Sequence, residues 1–256
     1  MTPSDNDTRA VLLVGGMGTR LRSVVQNTPK PLAAVGERPF LELLVRQLSR
    51  QGIRRLVMCT GYRAQDIERD LGDGHSLDVT IEYSSEPQPL GTGGAVKFAE
   101  PLLREVSNFV VMNGDSFMEM DFQRLIQFHR ESGGIASIAV FRTRNEMRYG
   151  TVHVDPHGLV KGFAEKTNAE PNGLVNAGVY VFNREILEHI PDGPCSLERD
   201  IFPKLLSQGV YALEQHGVFI DIGTPEDYAL AQGLSDRLYD AAGAKPLRVS
   251  GDKKLH

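Results

Sequence analysis

Apolar residues run unbroken through Ala10-Val11-Leu12-Leu13-Val14, and Gly15-Gly16-Met17-Gly18 closes the run. A run of that length ended by glycines predicts a strand buried on both faces. Phe40, Leu41, Leu44, Val45 and Leu48 then fall at helical spacing behind Pro39, which predicts a helix over 40–52. The alternation continues with strands expected at 55–60, 77–83 and 108–112 and helices at 63–71 and 93–103. This β-α-β-α-β-α-β order predicts a Rossmann-like, mostly parallel sheet flanked by helices, an α/β fold. From residue 121 the pattern becomes richer in strands, expected at 135–142, 150–155, 159–164, 174–182, 210–213 and 218–220. Helices are expected at 197–208 and 225–238. Asp155-Pro156-His157-Gly158 carries the residue types of a hairpin turn. No linker separates the two halves, so we expect one domain over 1–240. Its halves would meet near residue 120, and a mobile tail would follow over 241–256.

Composition narrows the functional classes. The 256 residues carry 28 Lys and Arg against 33 Asp and Glu, a net charge of −5. A mildly acidic chain without a basic run is a poor general nucleic-acid binder, though it can hold phosphate through a few placed groups. Cys59 and Cys195 are too few for a disulfide framework or a zinc site, and two thiols suit a reducing compartment. The apolar run at 10–14 is too short for a secretion signal or a membrane span. The expectation is a cytoplasmic protein with no membrane partner, and a homo-oligomer stays open.

The first chemical signal is Gly15-Gly16-Met17-Gly18-Thr19-Arg20-Leu21, directly after the first strand. Closely spaced glycines let backbone N–H groups approach an anion. Parallel sheets put ligands beyond the carboxyl ends of their strands, where this turn sits. The turn lacks the Gly-Lys-Ser/Thr ending of a P-loop and the G-x-G-x-x-G of dinucleotide folds. Taken alone it is compatible with an ordinary tight turn. Ten positions after Arg20, Lys30 stands between Pro29 and Pro31, which stiffen the backbone around it.

Taken together, these residues resemble the sugar-1-phosphate nucleotidyltransferases, whose G-G-x-G-T-R-L and P-K-P motifs they match. Pro89-Leu90-Gly91-Thr92-Gly93-Gly94, Asn113-Gly114-Asp115-Ser116, Tyr149-Gly150 and Phe163-Ala164-Glu165-Lys166 follow in that family's order. Asn176-Ala177-Gly178-Val179-Tyr180 and Asp221-Ile222-Gly223-Thr224-Pro225 complete the set, so the resemblance spans Val11 to Leu230. It implies the nucleotide-diphospho-sugar transferase fold, with a nucleotide-binding first half and a sugar-binding second half. It also implies a reaction that joins a nucleoside triphosphate to a sugar 1-phosphate and releases pyrophosphate.

The resemblance assigns roles residue by residue. Leu13, Gly15, Gly16, Gly18, Thr19 and Asn113 would bind the nucleotide. Arg20 would neutralise the departing pyrophosphate and Lys30 the α-phosphate, with Asp115 completing the catalytic set. Asp115 and Asp221 would hold Mg2+, although an aspartate in either place could simply cap or turn the chain. Gly150, Glu165, Lys166 and Asn176 would take the sugar and its phosphate. The segment with Gly91 and Thr92 resembles the base-reading loop of guanylyltransferases acting on mannose 1-phosphate and heptose 1-phosphates. Within that group the likeness runs to the D-glycero-D-manno-heptose 1-phosphate enzymes. The absence of a C-terminal β-helix after about residue 240 matches the short heptose and uridylyl types. Glu86 would read guanine through its two neighbouring donors, with Gln88 as the substitute reader. Such an enzyme would serve surface-polysaccharide precursor synthesis. The alternatives are a mannose-1-phosphate guanylyltransferase, a uridylyl- or thymidylyltransferase for a hexose or amino sugar, or a nucleotide-sugar sensor. A glycosyltransferase would need an Asp-x-Asp metal motif, and none stands near Asp115. A sugar phosphate is already ionised at neutral pH and needs no general base, so His75, His129 and His216 are expected on the surface or in the core.

Overall fold

The computed structural model describes residues 8–26, 28–143, 151–164 and 173–243. In chain order its elements are β1 (Arg9–Leu13), β2 (Ala34–Val35), β3 (Arg38–Pro39), α1 (Phe40–Arg50), β4 (Arg55–Thr60), α2 (Ala64–Leu71), β5 (Thr80–Ser85), α3 (Gly91–Phe98), β6 (Asn108–Asn113) and β7 (Ser116–Met118). The second half adds α4 (Phe122–Ser132), β8 (Ala136–Arg142), β9 (Thr151–Val154), β10 (Val160–Ala164), β11 (Leu174–Asn183), α5 (Ile186–His189), α6 (Phe202–Leu205), β12 (Val210–Glu214), β13 (Phe219–Asp221), α7 (Pro225–Gly233) and α8 (Ser235–Ala242).

One nine-stranded sheet runs through both halves. Strands β5, β4, β1 and β6 lie in that order and are parallel throughout. The sheet turns antiparallel at β11, which pairs with β6 through Val179–Asn183, with β9 through Leu174 and Val175, and with β8. Strand β12 then runs parallel to β8. The central strands read as unbroken apolar runs because each faces a core on both sides. Ala10 and Leu12 of β1 point into one apolar cluster, and Val11 points into the other. The hairpin at 155–158 forms as expected: the Asp155 carboxylate accepts from the N–H groups of His157 and Leu159.

The observed elements differ from the expected ones in several places. The expected strand at 77–83 shifts to β5, because His75–Leu77 forms a 3₁₀ turn. Helix α3 stops at Phe98, ahead of a 3₁₀ turn that contains Pro101. The helix expected at 197–208 divides into a π turn, α6 and a 3₁₀ turn, with Pro203 early in α6. Helix α8 continues to Ala242, which is fully buried, so the tail does not begin at 241. The rest of that expected tail, 244–256, lies outside the described residues. No helix among the described residues is long and apolar enough to cross a membrane. Cys59 and Cys195 are both free.

Helix α4 has no counterpart in the sequence expectation. Asp121 caps it by accepting from the Arg124 N–H at 3.0 Å, and left-handed Gly133 ends it. Its buried face is Phe122, Leu125, Ile126 and His129. A histidine holds an apolar position, which hides the stripe. His129 is 2% exposed, and its Nδ1 lies 3.0 Å from Ser137 Oγ. Burial pulls its pKa down to about 4. The unfolded chain therefore takes up this proton first as pH falls. The stabilising share of neutral His129 is complete above about pH 6.5 and is lost as pH drops towards 4. Relative to His129→Gln, the wild type should lose up to about 3 kcal/mol over that window. Urea unfolding of both proteins at pH 7 and pH 4.5 checks this, and equal losses would refute it.

Candidate active site

The parallel order places β1 and β6 side by side while the chain leaves β1 towards β4. Such a reversal opens a crevice at the carboxyl ends of the two strands. Gly114, just past β6, donates its N–H to the Leu13 carbonyl at 2.9 Å and draws the two strand ends together. A cleft of about 180 Å³ opens there. Leu13, Gly16, Gly18, Thr19, Arg20, Lys30 and Asp115 line it, so seven of the expected site residues converge.

The glycine turn has a local cause. Gly18 adopts φ 56°, a left-handed conformation, and starts the 3₁₀ turn Thr19–Leu21. A Cβ at Gly18 would lie 2.8 Å from Lys30 Cβ, so the absent side chain lets the two loops touch. Lys30 opens its own 3₁₀ turn after Pro29, and its side chain is 9% exposed. Its Nζ donates to Asp115 Oδ2 at 2.6 Å and lies 3.6 Å from Asp221 Oδ1. The two aspartates come together because β7 and β13 pair antiparallel, with Ser116 opposite Asp221. Gly223 donates its N–H to Asp221 Oδ1 at 2.7 Å. Burial, and then the Asp115 charge beside it, push the pKa of Asp221 up against the opposing pull of Lys30.

Among the described residues no three His, Cys, Asp or Glu side chains gather as a ready metal cage. Two neighbouring carboxylates at the phosphate-facing end of a sheet still suit a hard divalent cation. Such an ion completes its shell with phosphate oxygens and water. Neither aspartate is a helix N-cap: Asp121 caps α4 and Thr224 caps α7.

Glu86, expected to read the base, lies across Gly15. A Cβ on Gly15 or on Gly61 would lie 2.8 Å from Glu86 Oε1, so this carboxylate packs against both backbones. Glu86 Oε2 accepts from the Leu90 N–H at 3.3 Å, and burial pushes its pKa up. Gln88 is exposed. Gly91 and Thr92 begin α3 and dock on the segment around Cys195, whose carbonyl accepts from the N–H groups of Gly93 and Gly94. A Cβ on Gly91 would lie 2.6 Å from that carbonyl oxygen, and one on Gly94 2.3 Å from the Gly193 carbonyl oxygen.

Of the residues expected to take the sugar and its phosphate, only Asn176 falls within the described residues; Gly150, Glu165 and Lys166 lie outside them. Asn176 sits where β11 bulges between Asn176 and Tyr180. Gly178, at φ 72°, forms the bulge and donates its N–H to Asn176 Oδ1 at 2.8 Å. A Cβ there would lie 2.5 Å from Asn113 Nδ2, so the bulge brings the expected nucleotide and sugar residues together. Asn113 Oδ1 is shielded and has no hydrogen-bond partner among the described residues, an acceptor that suits a donor on a ligand. Sequence reasoning missed Glu198, which accepts from Thr92, Ser196 and Tyr180. The available signal was Tyr180 itself, since a tyrosine inside an apolar strand needs a partner for its hydroxyl.

The profile of the nucleotidyl transferase family matches residues 9–235, and the chain belongs to that family. Its sheet and flanking helices are those of the nucleotide-diphospho-sugar transferase fold. Mannose-1-phosphate guanylyltransferase catalytic subunit beta of Drosophila pseudoobscura pseudoobscura is 36% identical over 254 residues, covering 94% of this chain and 68% of that protein. The mannose-1-phosphate guanylyltransferase of Mycobacterium tuberculosis is 36% identical over 252 residues, covering 96% and 69%. The crystal structure of HddC from Yersinia pseudotuberculosis complexed with GMP-PN superposes with a TM-score of 0.79 at 33% identity, covering 88% of this chain and 98% of that one.

The Gly18–Lys30 contact generates a direct test. Gly18→Ala forces a side chain into the left-handed region, which costs about 1–2 kcal/mol, and presses on Lys30. Nucleotidyl transfer should fall at least about tenfold while circular dichroism stays native. Wild-type turnover in this variant would show that the loop contact is not needed.

Proposed function

We propose that this chain is a guanylyltransferase joining GTP to a manno-configured sugar 1-phosphate, either mannose 1-phosphate or its D-glycero-D-manno-heptose homologue. The observation that carries the reading is Lys30 held between Asp115 and Asp221 at the mouth of a glycine turn. The mannose-1-phosphate relatives support the guanylyl assignment and set mannose level with the heptose favoured by loop resemblance. The two sugars differ by one hydroxymethylene. A nucleotide-sugar sensor would keep the pocket without needing all of Arg20, Lys30, Asp115 and Asp221.

In the reaction an oxygen of the sugar phosphate attacks the α-phosphorus in line. The new P–O bond forms as the bond to pyrophosphate breaks. Both reactants are anions, so positioning and electrostatic stabilisation supply most of the acceleration. Backbone N–H groups of the Gly15–Thr19 turn bind the triphosphate. Lys30 meets the charge that builds on the α-phosphate, and Arg20 meets the pyrophosphate. Asp115 and Asp221 would hold a magnesium ion, which neutralises phosphate charge when bound. No side chain has to act as a general base, because the nucleophile arrives deprotonated.

Lys30→Ala should lower turnover at least about 100-fold, a loss of about 3 kcal/mol of transition-state stabilisation. Asp115→Asn and Asp221→Asn should each raise the magnesium concentration for half-maximal rate. A matrix of nucleoside triphosphates against sugar 1-phosphates, scored by pyrophosphate release, tests the whole reading. Highest kcat/KM for UTP or dTTP would overturn the guanylyl assignment. Glu86→Gln should move preference from GTP towards UTP or dTTP, because an amide suits one donor flanked by acceptors. An unchanged GTP to UTP ratio would mean that Glu86 does not read the base.

A further inference from the structure

Glu198 lies between the two halves of the site, on the π turn Leu197–Ile201. Its Oε2 accepts from Thr92 Oγ1 at 2.8 Å and from Ser196 Oγ at 2.7 Å. Its Oε1 accepts from the Tyr180 hydroxyl at 2.9 Å, and that hydroxyl accepts from Asn176 Nδ2 at 3.0 Å. Asn176 Oδ1 is fixed in turn by the Gly178 N–H. The chain of hydrogen bonds thus runs from the base loop to the sugar-side strand across 84 positions of sequence between Thr92 and Asn176.

Each link is held in one direction. The Tyr180 side chain is fully buried, stacked on Phe182 and set edge-on to Phe202, so its hydroxyl has no solvent to turn to. Asn176 and Tyr180 both donate towards the carboxylate, the polarity in which each bond strengthens the next. Thr92 Oγ1 also accepts from the Leu197 N–H at 2.8 Å, so its one hydrogen is committed to Glu198. One amide hydrogen of Asn176 is spent on Tyr180, and the other has no partner among the described residues.

We infer that Glu198 is a positioning residue that couples the base loop to the sugar-side strand through Tyr180. The inference rests on the transfer reaction proposed above. In-line attack demands that the two substrates be aligned to within about half an ångström. A rigid link between the loop that holds one substrate and the amide that holds the other enforces that alignment. Movement of Asn176 is then felt at Thr92, although the two side chains do not bond to each other.

The test is a double-mutant cycle between Thr92→Val and Asn176→Ala, read as kcat/KM, in wild type and in a Tyr180→Phe background. Tyr180→Phe keeps the buried ring and removes only the hydroxyl. In the wild-type background the double variant should lose at least fivefold less than the product of the single losses. In the Tyr180→Phe background the losses should multiply to within twofold. If Tyr180→Phe does not fold, Glu198→Ala breaks the same link. Multiplicative losses in the wild-type background would overturn the coupling, as would non-additivity that survives removal of the Tyr180 hydroxyl. An active wild type with multiplicative losses refutes only the coupling. A wild type that releases no pyrophosphate with any nucleotide and sugar 1-phosphate refutes the reaction, and the coupling with it.

Discussion

Strand β1 is hydrogen-bonded on both edges, to β4 and to β6, and runs parallel to both. A strand in that position is buried on both faces, so little of it can reach a ligand. What it can do is end in a fixed place. The turn after β1 and the turn after β6 meet at one edge of the sheet because Gly114 hydrogen-bonds back to Leu13. The glycines proposed to bind phosphate arrive from one strand, and the first aspartate proposed to bind metal arrives from the other. Asp221 joins them only because the β7–β13 ribbon returns a distant part of the chain to the same edge.

The charge arrangement at that edge follows from electrostatic necessity. Two carboxylates brought together in a half-buried cleft repel each other, which adds to burial in raising the proton affinity of Asp221. Lys30 relieves part of that repulsion from a stiff loop. Its Nζ bonds to Asp115 and stands farther from Asp221.

Strands β1, β4 and β6 were legible in the sequence because double burial writes itself as an apolar run, whereas the edge strand β5 mixes buried and exposed positions and its bounds shifted from 77–83 to Thr80–Ser85. The glycine turn, Lys30 and both aspartates were legible as motifs, and the structure brings them into one cleft. Other features were hidden by single residues that break a pattern. His129 interrupts the apolar stripe of α4, and Pro101 and Pro203 break helices that periodicity would continue. Arg9 at the start of β1 is 5% exposed and pairs with Glu82 across the sheet at 3.0 Å, an arrangement no local spacing announces. Glu198 escaped for the same reason: its partners Tyr180 and Thr92 are 18 and 106 residues away, and long-range pairing leaves no period in a sequence.

The glycines at 91–94, in the first turn of α3, have a different duty from those of the 15–18 turn. Gly91 and Gly94 lack side chains because the backbone of Gly193–Cys195 occupies the space, and Gly93 and Gly94 hydrogen-bond to that same backbone. The first turn of α3 and segment 193–198 are thus one interlocked part made from two distant stretches of chain. Replacing residues 91–94 alone would move half of a joint. An exchange that keeps the joint has to carry the facing stretch with it, so the unit that moves is a pair of segments.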